Sequence, residues 1–199
     1  MKPFLIIISI ILILLVLLQS FTIMQVNKTE EQAYKVILTE GDLEIRFYPS
    51  VTIATVQSKA KTYKDLSGPG FRKLAGYIFG GNEGSKKIAM TSPVHMNISD
   101  SNSSMSFVMP SAYNESSLPK PNDSSVLITK TKEEYVAAIR FGGFASDEDF
   151  ASYTKKLESI LAKKGIATLG NYRILGYNPP YQLIGRRNEV IVSVLWTEK

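Results

Sequence analysis

"GFRKLAGYIFGGNEGSKKIAMTSPV", residues 70–94, decides the fold. Phe71, Leu74, Ala75 and Ile78 recur at i, i+3, i+4 and i+7, the spacing of one helical face. Pro69 suits a helix start and Gly80-Gly81 a stop, so the spacing predicts a short amphipathic helix over 71–80. Two strand-like runs follow, "KIAMTSPVHM" (87–96) and "SMSFVMP" (104–110), with the polar loop "NISDSNSS" near 97–104 between them. Upstream, "LEIRFYPSVTIATVQ" (43–57) alternates like a strand, with Val51 and Ile53 on one face and Ala54 and Val56 on the other.

The second half repeats this order. "VLITKTKEEYVAAIRFGGF" (126–144) is strand-rich. Ser146 with Asp149 reads as a capping box, with Asp in place of the usual Glu. Phe150, Tyr153, Leu157, Ile160 and Leu161 form the apolar stripe of a second helix, which Lys163, Lys164 and Gly165 end. "NYRILGYNPP" (171–180) and "EVIVSVLW" (189–196) supply two more strands, with Val190, Val192, Val194 and Trp196 facing one way. The intervening loop "PSAYNESSLPKPNDSS" (110–125) reads as too polar to pack. The pattern predicts an α+β domain of two interlocking halves around one sheet or barrel, over residues 28–199.

Residues 1–27 are a separate object. Phe4 to Met24 is long enough to span a bilayer, which takes about 20 mostly apolar residues. No small-residue cleavage pattern follows it, which favours an uncleaved anchor over a signal peptide. Lys2 on one flank and Glu30 and Glu31 on the other keep the N-terminus inside and put the domain outside the cytoplasm, in a periplasm or lumen. Five N-x-S/T triplets, at Asn27, Asn97, Asn102, Asn114 and Asn122, are compatible with a lumenal domain.

Composition excludes several function classes. An apolar content of 44% with 21% charged residues is globular. The chain has no cysteine, which removes disulfides, thiolate zinc sites and thiol catalysis. A net charge of +5 invites a nucleic-acid reading, but the basic residues are scattered pairs interleaved with acids, without a recognition motif. The expectation is no nucleic acid. No GxxxxGK[ST] phosphate loop is present, and the glycines at 68, 70, 80, 81 and 84 read as turn and cap positions.

Taken together, "GFRKLAGYIFGGNEGSKKIAMTSPV", "LEIRFYP", "FVMP", "RFGGF" and "YNPP…RRNEV" resemble, in order, the signature of the SOUL haem-binding family over roughly residues 35–197. The resemblance implies a distorted β-barrel of two β-α-β-β repeats with two flanking helices. It also implies non-covalent binding of haem or a related tetrapyrrole without chemistry on it.

A porphyrin needs a flat apolar slot and cations for its two propionates. The helix and the following strand offer Leu74, Tyr77, Ile78, Met90 and Met96 for the slot. Arg72 and Lys73 are the carboxylate candidates. His95 is the only histidine, but strand alternation turns it away from Met90, Val94 and Met96. The expectation is therefore no metal ligand, with His95 as an axial iron ligand the lesser alternative. For catalysis the only base of its kind would be His95, and no nucleophile elbow accompanies any serine. The fold also resembles that of bacterial effector-binding domains, some of whose relatives hydrolyse small molecules with a central acid. Glu44, Glu134 and Glu189 are the acids to watch, and a raised pKa in one of them would signal a site. The alternatives to haem binding are a small-ligand module or hydrolase of that type, and a domain that works by protein contact.

Overall fold

A computed structural model describes residues 2–26 and 28–197 of the chain. The Asn27 triplet, the charge on Lys2 and the chain termini lie outside the residues or side chains described. The elements run α1 (Lys2–Val26), β1 (Glu30–Glu31), β2 (Lys35–Glu40), β3 (Leu43–Tyr48), β4 (Thr52–Ser58) and α2 (Tyr63–Ile78). They continue with β5 (Thr91–Ser92), β6 (Val94–Asn97), β7 (Ser103–Val108), β8 (Val126–Lys130) and β9 (Glu134–Phe141). The chain closes with α3 (Asp147–Lys164), β10 (Thr168–Gly176) and β11 (Asn188–Val194).

Nine strands form one antiparallel sheet in the order β2-β3-β9-β11-β10-β6-β7-β4-β8, and β1 pairs with β5 beside it. The first half contributes β6-β7-β4 and the second contributes β10-β11-β9, the same internal order. The halves join where β6 pairs with β10, Met96 opposite Ile174. The sheet begins at β2 and ends at β8, and no pairing joins these two strands among the described residues. The expected barrel is therefore an open, α+β sheet, lengthened at its edges by β2-β3 and β8.

Both long helices of the domain lie on one face. Leu66, Leu74, Tyr77 and Ile78 of α2 meet Ala54, Val56, Met96, Met105, Phe107 and Ile174 in one core. Leu157 and Leu161 of α3 meet Ala137, Ile139, Val190 and Val192 in a second. The period-two alternation of each strand sends its other side chains to the opposite face. There Val136, Ala138, Leu175 and Ile191 cluster with Tyr48 and Tyr177.

Two boundaries differ from the sequence reading, for physical reasons. Helix α2 starts two turns earlier, capped by Thr62, whose hydroxyl accepts from the Asp65 amide at 3.0 Å. Pro69, Gly68 and Gly70 lie inside it, and Gly70 lets the helix approach β7, since a Cβ there would stand 3.2 Å from that of Met105. The loop 110–125 is not free of the core. Leu118 is buried in it, Tyr113 packs against it, and the Tyr77 hydroxyl donates to the Pro119 carbonyl at 3.0 Å. Helix α3 matches its expected signals, with the Ser146–Asp149 capping box and left-handed Gly165 at its end.

Helix α1 is long and apolar enough to cross a membrane, the length and composition that a signal sequence also shows. Its hydroxyls at Ser9, Ser20 and Thr22 each donate to the carbonyl four residues back, so none needs water.

Candidate functional site

The residues expected to form a slot beside α2 divide into two groups. Leu74, Tyr77, Ile78 and Met96 are each 4% exposed or less in the first core, and Met90 is partly buried against it. Protein atoms thus occupy the space between α2 and the strand. Arg72 and Lys73 lie on the outer flank of the helix, and the Lys73 ammonium donates to the Ser125 hydroxyl at 3.0 Å. Phe71 lies next to them, partly exposed and edge-on to Phe107 at 5.3 Å. The sequence spacing puts Phe71 on the same face as Leu74, Ala75 and Ile78. The earlier start of α2 explains the difference, because the stripe runs through Leu66, Gly70, Leu74 and Tyr77.

On the helix-free face a cleft of about 350 Å³ opens between β4, β6, β7, β8 and the start of β9. Ile53, Leu127, Ser106, Thr129, His95 and Arg173 are among its lining residues. Alternation over Val94–Asn97 places His95 there, away from Met96. The His95 Nε2 lies 2.7 Å from the Gln32 amide oxygen, which makes Nε2 the protonated nitrogen. Burial pushes the imidazole down to about 3, with Arg173 adding to the effect and Glu189 opposing it. The ring is neutral at physiological pH, and the nitrogen facing Gln32 is already in use. Arg173 Nη2 donates to both carboxylate oxygens of Glu134 at 2.9 Å. Asn97 Oδ1 is buried and has no partner.

Near the cleft lies a buried charge network, of which the sequence offers only the Arg187–Glu189 pair within "GRRNEV". Glu189 is fully buried and takes Arg46 Nη1 at 2.6 Å, Arg46 Nη2 at 3.0 Å and Arg187 Nε at 3.0 Å. The Tyr177 hydroxyl donates to it at 2.9 Å. Burial alone would raise the Glu189 carboxyl, but the two guanidiniums outweigh it and hold the group below its ordinary value. Burial pushes the neighbouring Tyr48 phenol up to about 12. Of the two arginines in "GRRNEV", Arg187 binds Glu189 and Glu31, and Arg186 serves loop carbonyls. Among the described residues, no three His, Asp or Glu side chains come together as a metal-ion set.

The profile of the SOUL heme-binding protein family matches residues 29–193. This chain belongs to that family. The SOUL domain is 30% identical over 154 residues to a heme-binding protein 1 of Xenopus laevis, covering 74% of this chain and 80% of that one. It is 32% identical over 158 residues to a heme-binding protein 2 of Homo sapiens, covering 75% and 77%. In fold it is similar to the C-terminal domain of EcmrR, with a TM-score of 0.55 at 10% identity, covering 82% of this chain and 99% of that one. That last likeness concerns the SOUL domain's fold alone.

Proposed function

We propose that this chain binds haem or a related tetrapyrrole non-covalently on the outer flank of α2. The observation that carries the reading is family membership across 29–193, with relatives named heme-binding proteins. Arg72 and Lys73 are exposed cations of the type that meets propionates, and Phe71 beside them offers a ring face. His95 does not serve as the iron ligand, because it is on the other face of the sheet from α2. The domain works as a binding module rather than an enzyme; the one fully buried acid among the described residues, Glu189, is held ionised between two arginines. Residues 4–24 anchor it uncleaved in a membrane, N-terminus inside, with the domain in a periplasm or lumen. Of the N-x-S/T triplets, Asn102, Asn114 and Asn122 are exposed, whereas Asn97 turns a buried oxygen to the cleft.

The test is a haemin titration of the full-length chain and three variants. Arg72→Glu with Lys73→Glu should weaken binding at least about tenfold, equivalent to about 1.4 kcal/mol. The same change at Lys155 and Lys156, on α3, is the charge-matched control and should do little. Equal losses at both pairs would mean that haemin responds only to net positive charge. A second reading, a small polar ligand in the cleft, is favoured by the unpaired Asn97 oxygen. Thr129→Trp would fill that cleft; loss of haemin binding in this variant alone would move the site there.

A further inference from the structure

The segment between β10 and β11 makes an unusual surface. No charged residue occurs from Tyr177 to Gly185. Tyr181, Leu183 and Ile184 are 64%, 52% and 65% exposed, and Phe144 in the neighbouring turn is 55% exposed. Single apolar residues on a surface are ordinary, but four large ones from two adjoining loops form a patch.

The polar groups of the same segment turn inward. Arg186 Nη1 donates to the carbonyls of Pro179 at 2.6 Å and Gln182 at 2.8 Å, and its Nε donates to Gly143 at 3.2 Å. Its guanidinium lies 4.2 Å from the Phe144 ring centre, which ties the two loops together. The buried Gln182 amide donates to the Ile184 carbonyl at 2.8 Å, and the Asn178 amide donates to Gln182 at 3.0 Å. A loop that satisfies its own carbonyls loses less on leaving water than one that relies on solvent.

The loop is also fastened to α1. The Gln19 side chain donates to the Tyr181 carbonyl at 3.1 Å and accepts from the Leu183 amide at 2.9 Å. That contact fixes a depth. From Lys2 to Leu18 the helix rises about 26 Å at ~1.5 Å per residue, less than the ~30 Å of a hydrocarbon core. If α1 spans a bilayer, Gln19 is at or just inside its outer boundary, and so is the loop bonded to it.

We propose that the tip Tyr181–Ile184, with Phe144, is seated in the lipid interface at the foot of the anchor. Leu183 and Ile184 enter the acyl region, and Tyr181 lies at headgroup level, where its amphipathic ring is favoured. The domain is then held to the bilayer at two points, which fixes its orientation to the membrane instead of leaving it on a swivel. The inference rests on the anchor reading of α1.

Site-specific labelling is straightforward, because the chain has no cysteine. Full-length Ile184→Cys and Ser9→Cys, each labelled with bimane, are reconstituted in phosphatidylcholine vesicles. The vesicles carry a nitroxide either near the headgroup end or near the tail end of the acyl chain. The tail-end nitroxide should quench Ser9→Cys, and the headgroup-end nitroxide should quench Ile184→Cys at least about twofold. Quenching at Ser9→Cys with none at Ile184→Cys, and free access of aqueous iodide to the latter, would overturn the seated loop and leave the anchor standing. Absence of lipid quenching at Ser9→Cys would overturn both.

Discussion

Burial acts on His95 and Glu189, two side chains of the helix-free face, and their partners decide the outcome in each case. For His95 burial wins, lowering the ring from 6.5 to about 3. The folded chain thus refuses a proton that the unfolded chain accepts between those values. Its contribution to stability is complete above pH 6.5 and declines as pH falls toward 3, by at most about 1.4 kcal/mol per unit. With one histidine in the chain, urea stability should drop by about 1 kcal/mol from pH 7 to 5.5. His95→Gln should remove most of that drop; an equal drop in both proteins would contradict the assignment. For Glu189 the arginines win, so its contribution is present above the ordinary carboxylate range and lost as pH falls through its lowered value. Glu189→Ala would leave the buried Arg46 with Glu44, at 2.7 Å, as its remaining charge partner, and urea unfolding should register a loss of about 3 kcal/mol. A loss under about 1 kcal/mol would mean that water already reaches the network. Alternation alone showed that His95 turns away from Met96. It could not supply Gln32, which arrives from 63 residues away through the β1–β5 pairing.

Among the elements, α3 was legible because its signals are local: capping box, stripe, basic last turn and glycine stop all fall within one stretch. Helix α2 was legible in its second half only. Pro69 imitated a start, while the actual cap, Thr62 with Asp65, stood seven residues upstream and is reinforced from afar by Asp147, whose carboxylate accepts from the Tyr63 amide. The same error put Phe71 in the core and left the haem slot on residues that the core uses. Gly70 shows how closely the helix and β7 approach. Gly70→Val would push β7 away at Met105, and the expected cost is about 1–3 kcal/mol by urea unfolding. An unchanged midpoint would show that the contact yields without strain.

At the scale of the molecule, the repeated order of strands and helix was readable in the sequence, and the sheet places both repeats with their equivalent strands β6 and β10 at the seam. The edges were not readable, because whether β2 and β8 meet depends on sheet curvature that no local pattern encodes. Nor was the partnership of α1 with the 177–187 loop, which depends on one glutamine in an apolar run. What the fold places on its surface is an exposed cationic flank on α2, with the lone histidine on the opposite face, and the account joins these to the family's ligand. Its most direct test is a Soret titration of the full-length chain with haemin, beside an unrelated basic protein of matched charge. Haemin should saturate at one per chain, with a spectrum that His95→Ala leaves unchanged. Haemin uptake that does not saturate, or that equals the uptake of the matched protein, would contradict it.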